Sequence, residues 1–196
     1  MKKMWMVAGG VAVLASALMI AACSEPNAQA ASGPDASTVA RGQYLVTIGG
    51  CNDCHTPLKM GPKGPEPDMS RMLSGHPEQA VVAAPVKPPS DQWMMVTNIT
   101  GTAHSGPWGV SFTANLTPDE NTGLGIWTED MFIKAMRTGR HMGASREILP
   151  PMPWFNYGKM SDEDLKAVYA YLRTIPPVHN RVPDPLPPAG APTATN

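Results

Sequence analysis

The pentapeptide Cys51-Asn52-Asp53-Cys54-His55 constrains this chain more than any other stretch of it. It places two thiols one helical turn apart, with an imidazole directly after the second. Thiols at that spacing can add to the two vinyl groups along one edge of a porphyrin, while the imidazole reaches the iron from one face. C-x-x-C-H is accordingly the attachment pattern of covalent haem c. The competing readings are weaker. A zinc ribbon needs a second Cys/His pair, and the only other cysteine is Cys23. A thioredoxin-type redox pair expects a surrounding βαβ pattern, which is missing. A structural disulfide between Cys51 and Cys54 leaves His55 without a role. The motif occurs once and there is no internal repeat, so one haem is expected, attached at Cys51 and Cys54 with His55 as an iron ligand.

Residues 1–22 read as an export signal: Lys2 and Lys3 precede an apolar run from Trp5 to Ile20 that is broken by Gly9 and Gly10. The run is too short and interrupted for a comfortable membrane span. It ends in Ile20-Ala21-Ala22-Cys23, which is similar to the lipobox of bacterial lipoproteins and makes Cys23 a candidate lipid anchor. An ordinary cleavage near Ala28-Gln29-Ala30, or an uncleaved helical anchor, is the alternative. Ser24 rather than Asp follows the cysteine, which permits outer-membrane placement. Every route puts the chain on the periplasmic side, the side on which haem is attached covalently. Fifteen Lys and Arg against sixteen Asp and Glu, a net charge of −1, leave no basic field for nucleic acid.

Residues 23–36 carry Pro, Gly and Ser with no large apolar side chain beyond the cysteine, the composition of a flexible tether. The domain is expected over 37–178. Val39, Tyr44, Leu45 and Ile48 predict an amphipathic helix that stops at Gly49-Gly50, and Gly42 within it implies close packing. A second helix starts at the N-cap Thr128, carries Met131, Phe132, Ala135 and Met136, and stops at Gly139. A third is capped by Ser161, opens with Asp162, Glu163 and Asp164, and runs on through Leu165, Val168, Tyr169, Leu172 and Ile175 to Pro176-Pro177. Residues 56–114 show no helical period, an unusual length of loop. Trp93–Ile99 and Val110–Ala114 predict a hairpin joined by Thr100–Gly109. Residues 179–196 are rich in proline and read as an extended tail that lies on the domain before fraying, with almost no apolar side chains to stabilise the core.

A helix ahead of C-x-x-C-H, a middle helix, then a methionine in a proline-rich loop ahead of a terminal helix resembles the class I cytochrome c family. Asn115-Leu116-Thr117-Pro118-Asp119, Thr122-Gly123-Leu124-Gly125-Ile126-Trp127 and Pro151-Met152-Pro153-Trp154 are similar to segments of bacterial cytochrome c domains that accompany periplasmic dehydrogenases. The resemblance implies a mainly α fold in which the first and last helices cross, Gly42 letting Tyr171 pack at the crossing. It also makes 56–114 a loop-rich insertion between the haem motif and the middle helix.

The position opposite His55 on the iron is contested, since the chain holds fourteen methionines. Met131 and Met136 lie on a helical face and read as core; Met94-Met95 sits in the expected hairpin; His76 and His104 read as solvated loop residues. His141, Met142 and Met160 remain in reach. Met152 lies in Pro150-Pro151-Met152-Pro153, where fixed φ angles restrict the chain, and the resemblance favours it as sixth ligand. Arg137, Arg140 and Trp154 are candidate donors to the haem carboxylates.

The expectation is therefore a lipid-tethered periplasmic carrier of single electrons with His/Met ligation, and no enzyme in its own right. It would pass electrons from a dehydrogenase or cytochrome donor to an oxidase or cytochrome acceptor, free or as the electron-transfer subunit of a dehydrogenase complex. A peroxidase-like or nitrite-reducing haem enzyme, or a gas-binding sensor with a labile sixth ligand, is the rival reading.

Overall fold

In the computed structural model, residues 35–190 are described; the signal segment, Cys23 and nearly all of the tether lie outside them. The first helix, α1, spans Ala36–Ile48, and the Asp35 side chain accepts the Ser37 and Thr38 amides at its start. Its buried residues are Gly42, Leu45 and Val46. That stripe leaves Tyr44 and Ile48 exposed, contrary to the face expected for them. The cause is the partner. A Cβ added to Gly42 would lie 1.9 Å from the Ala167 carbonyl oxygen and 2.8 Å from the Tyr171 Cβ, so the backbone of the terminal helix occupies the place where a side chain would stand.

That terminal helix, α5, spans Asp162–Leu172 and buries Leu165, Ala167, Val168, Ala170 and Leu172; Ser161 Oγ accepts the Asp164 amide at its N-terminus. Between them come α2 (Cys51–His55), α3 (Glu129–Thr138) and the single-turn α4 (Trp154–Tyr157). Thr128 Oγ1 accepts the Met131 amide to start α3, and Gly139 in the left-handed region ends it. Leu45 and Val46 of α1, Phe132 of α3 and Leu165, Val168 and Leu172 of α5 share one apolar core. No helix among the described residues is long and apolar enough to cross a membrane.

The 56–114 segment is built differently. Strands β1 (Leu58–Gly61) and β2 (Gly64–Pro67) form an antiparallel hairpin. Strands β3 (Val96–Thr97), β4 (Ala103–Gly106) and β5 (Gly109–Phe112) form a three-stranded antiparallel meander. The expected two-stranded hairpin is thereby corrected, because its supposed connection, Thr100–Gly109, contains β4. Ala103-His104-Ser105-Gly106 holds no β-branched side chain; pairing with Val96 on one side and Val110 on the other imposes the extended state.

The chain after Pro177 lies along the domain, held more firmly than its composition suggests. Leu186 exchanges both backbone hydrogen bonds with Val110, at 2.9 and 3.0 Å. Asn180 is 1% exposed; its amide nitrogen donates to the Ser74 and His76 carbonyls, and its oxygen accepts from Arg71 and the Glu78 amide. The segment docks through polar bonds, which a search for apolar side chains does not detect. Residues 191–196 lie outside the described part.

Candidate cofactor site

Gly49 and Gly50 end α1 and turn the chain directly into α2, so Cys51, Cys54 and His55 follow on one short helix. Both cysteines are free thiols. Burial pushes the Cys51 thiol up to about 11 and raises that of Cys54, with neighbouring Asp53 acting in the same direction. A thiolate-based redox pair needs the opposite shift.

His55 is buried, and its Nδ1 donates to the Ala114 carbonyl at 2.8 Å. A carbonyl only accepts, so the proton sits on Nδ1 and Nε2 keeps the lone pair a metal requires. Burial lowers the pKa of the ring against the opposing effect of that hydrogen bond, which keeps the imidazole neutral at neutral pH.

Cys51, Cys54, His55 and Met152 all line one cavity of about 700 Å³. Its wall is largely apolar, with Leu45, Leu116, Leu124, Phe132 and Leu165 among its residues. The volume falls within the roughly 300–1,000 Å³ of cofactor and small-molecule sites. Met152 enters from a loop held at several points. The Ile148 amide donates to Gly139, Ser111 Oγ donates to the Pro150 carbonyl, and α4 follows at once. The Trp154 ring fills the space beside Gly139, where a Cβ would come within 2.3 Å of it. Tyr157 donates to the Gly49 carbonyl, lacing α4 to the turn ahead of Cys51.

Of the other candidate ligands, Met142, Met160, Met136 and His141 also line this cavity, whereas Met94, Met95, Met131 and His76 do not. His76 and His104 are buried, not solvated, at 0% and 4% exposure. His76 is held by Thr102 Oγ1 and the Ala80 carbonyl. His104 lines the cavity and bonds Thr97 through Nδ1, while its Nε2 has no partner among the described residues.

The three expected carboxylate donors lie elsewhere. Arg137 donates to Gly158, Met160 and Asp162; Arg140 donates to Ser145 and pairs with Glu147; Trp154 packs on Gly139. The arginines on the cavity are Arg146 and Arg181. No local sequence signal marks them: Arg146 sits in the short loop after Gly143, and Arg181 lies in the proline-rich tail.

The donors fit haem: two protonated thiols, an imidazole with a fixed tautomer and a thioether face an apolar space, a set that suits a soft, flat, hydrophobic ligand. Comparison with known proteins points the same way. The chain is 31% identical over 165 residues to the fructose dehydrogenase cytochrome subunit of Gluconobacter japonicus, covering 84% of this chain and 26% of that protein. It is 27% identical over 188 residues to the cytochrome c subunit of the quinone-dependent alcohol dehydrogenase of Gluconobacter oxydans (strain 621H), covering 94% and 30%. It is 32% identical over 134 residues to the gluconate 2-dehydrogenase cytochrome c subunit of Pantoea cypripedii, covering 68% and 22%. The chain thus spans less than a third of the length of each of these relatives. The family described as Cytochrome c matches residues 39–176, well over half of the chain, so that helical frame, cavity and sequence agree that this protein belongs to the cytochrome c family.

Proposed function

We propose that this chain is a periplasmic electron-transfer protein holding one haem c, with thioether bonds from Cys51 and Cys54 and axial ligands His55 and Met152. The observation that carries the reading is the convergence of those four side chains on one cavity, with His55 Nδ1 tied to Ala114 and Nε2 left for the iron. Haem bound in this way supplies a one-electron Fe(III)/Fe(II) couple. The residues do the rest. Cys51 and Cys54 would hold the cofactor covalently, each through its sulfur. The Ala114 carbonyl orients the imidazole and raises its basicity. Met152 would supply the second protein ligand to the iron, leaving no position open to small ligands, and as a thioether would favour the ferrous state. The apolar walls keep water from the centre and limit reorganisation on electron transfer. Residues 56–114, on this reading, are an insertion in the compact class I fold.

The partners proposed are a dehydrogenase or cytochrome as donor and an oxidase or another cytochrome as acceptor; the likeness to dehydrogenase cytochrome subunits supports the first. Cys23 would be lipidated and hold the domain at the periplasmic face of a membrane, Ser24 permitting the outer one. Incorporation of labelled fatty acid by the parent chain but not by Cys23→Ala tests that anchor.

Met152→Ala tests the ligand set. The variant should retain covalent haem, lose the far-red methionine-to-iron band of the oxidised protein, fall in potential and bind carbon monoxide rapidly when reduced. Persistence of that band and of a six-coordinate low-spin spectrum would refute the Met152 assignment, and Met142→Ala and Met160→Ala would then be compared by the same spectra.

A further inference from the structure

Seven arginines occur in the sequence, and all lie in the described part. Five are engaged by the protein itself. Arg41 pairs with Asp164, Arg71 donates to Asn180, Arg137 to Asp162 and two carbonyls, Arg140 to Ser145 and Glu147, and Arg173 to the Leu124 and Gly125 carbonyls. The other two are Arg146 and Arg181. The Arg146 guanidinium reaches only the carbonyl of the adjacent Glu147, at 3.5 Å, and the Arg181 guanidinium makes no hydrogen bond or ion pair among the described residues. Both line the cavity that holds Cys51, Cys54, His55 and Met152.

We propose that Arg146 and Arg181 receive the two carboxylates of bound haem. This rests on the haem reading above and adds to it the residues that set the orientation and charge of the cofactor. The physical reason is the mismatch between the haem and the rest of the wall. Two carboxylates entering a largely apolar cavity need charged donors, and a guanidinium offers a fork of N–H groups matched to a carboxylate. The lining also bears two acids, Glu120 and Asp184, and His141 stands close enough to both Arg146 and Asp184 to feel their charges. The docking of residues 179–188 acquires a purpose: Asn180, buried and bonded on four sides, fixes the backbone one residue before Arg181. Arg146 and Arg181 come from segments separated by all of α4 and α5, so they meet at the cavity only in the folded chain.

The test uses the full haem-loaded protein and the variants Arg146→Gln, Arg181→Gln, Arg146→Lys and Arg181→Lys. Each Gln variant should keep its haem on a denaturing gel, lower the reduction potential because a cation near the ferric centre is gone, and shift the haem carboxylate bending band in resonance Raman spectra. Each Lys variant should restore most of the potential but not the band, since it replaces the charge without the fork. Asp184→Asn should raise the potential. If both Gln variants show the parent's band, the proposal is overturned, whatever the potential does, because charge acts at a distance and the band reports contact. Absence of covalent haem from the parent would instead defeat the haem reading.

Discussion

The helical frame and the 56–114 segment are held together by opposite means. In the frame, α1, α3 and α5 bury Leu45, Val46, Phe132, Leu165 and Leu172 against one another. In the segment, the residues just after it and the C-terminal strap, many buried side chains are polar: Thr56, Ser74, His76, Thr102, His104, Ser105, Ser111, Asn115, Thr117 and Asn180. Among the described residues, the buried polar ones fall from His55 to Thr117 or at Asn180. Apolar packing is tolerant of direction and depends on volume; a buried polar network depends on every partner being present. One half of the molecule should therefore fail by crowding or cavities, the other by losing a single donor or acceptor.

The largest effect expected is on the frame. Gly42→Leu would drive a side chain into the Ala167 backbone, and the helices must separate or the fold is lost, a cost of at least about 3 kcal/mol. A denaturant midpoint near the parent's would mean that the crossing is soft and the contrast with the other half is overstated. Next comes the polar half. Asn180→Leu preserves bulk but strands the Ser74 and His76 carbonyls, the Glu78 amide and Arg71, and should cost roughly 2–3 kcal/mol. Deleting residues 180–190 should be at least as damaging, where the composition alone predicts tolerance. If thermal unfolding of the deletion matches the parent, the strap is ornamental and the polar half needs no closure.

A smaller change tests the seam between the halves. Ser111→Ala removes the hydroxyl that bonds the Pro150 carbonyl, and should cost about 1 kcal/mol while loosening the Met152 loop. Hydrogen exchange at Ile148, whose amide bonds the Gly139 carbonyl, should quicken before that of α5. Equal protection in parent and variant would show that the loop is held from the helical side alone.

The last prediction concerns pH. Burial lowers the pKa of His76 below its ordinary 6.5, against the hydrogen bond it makes to Ala80, and lowers that of His104 as well. The unfolded chain then takes up protons before the folded one, so stability is full above about pH 6.5 and declines as pH falls through and below it. Urea midpoints measured at pH 7.5 and 5.5 should differ, and His76→Gln should reduce the difference. An unchanged slope would place the sensitivity outside the polar half.

The same contrast explains which parts could be read from sequence. The caps at Thr128 and Ser161, the stop at Gly139 and the need for Gly42 at a helix crossing are local or periodic signals, and the structure carries each of them. The face of α1 was misjudged because Tyr44 and Ile48 have core-like side chains, yet the register is set by a glycine. In the polar half the residues that become buried are those that ordinarily mark exposed loops. His76, Thr102, Asn115 and Asn180 are buried only because partners distant in sequence satisfy them, and nothing near each residue announces those partners. The site divides similarly. Cys51, Cys54, His55 and Met152 belong to compact motifs, while Arg146 and Arg181 reach the cavity through loop and strap geometry.

The His55 side chain meets Ala114, and nearby the His76 amide meets the Thr113 carbonyl at 2.9 Å. The chain between His76 and Thr113 therefore departs from and returns to one point, the point that orients the imidazole. A closed excursion of this kind is cheap to resize, since doubling its length costs only about 0.6 kcal/mol of closure entropy. The stretch from Val81 to Trp93, which contains no helix or strand, is tied to the sheet at Val86, whose amide and carbonyl both bond Ser105 Oγ; its length on either side of that tie can change while the imidazole stays in place. The excursion can thus vary without disturbing the hydrogen bond that fixes the His55 tautomer.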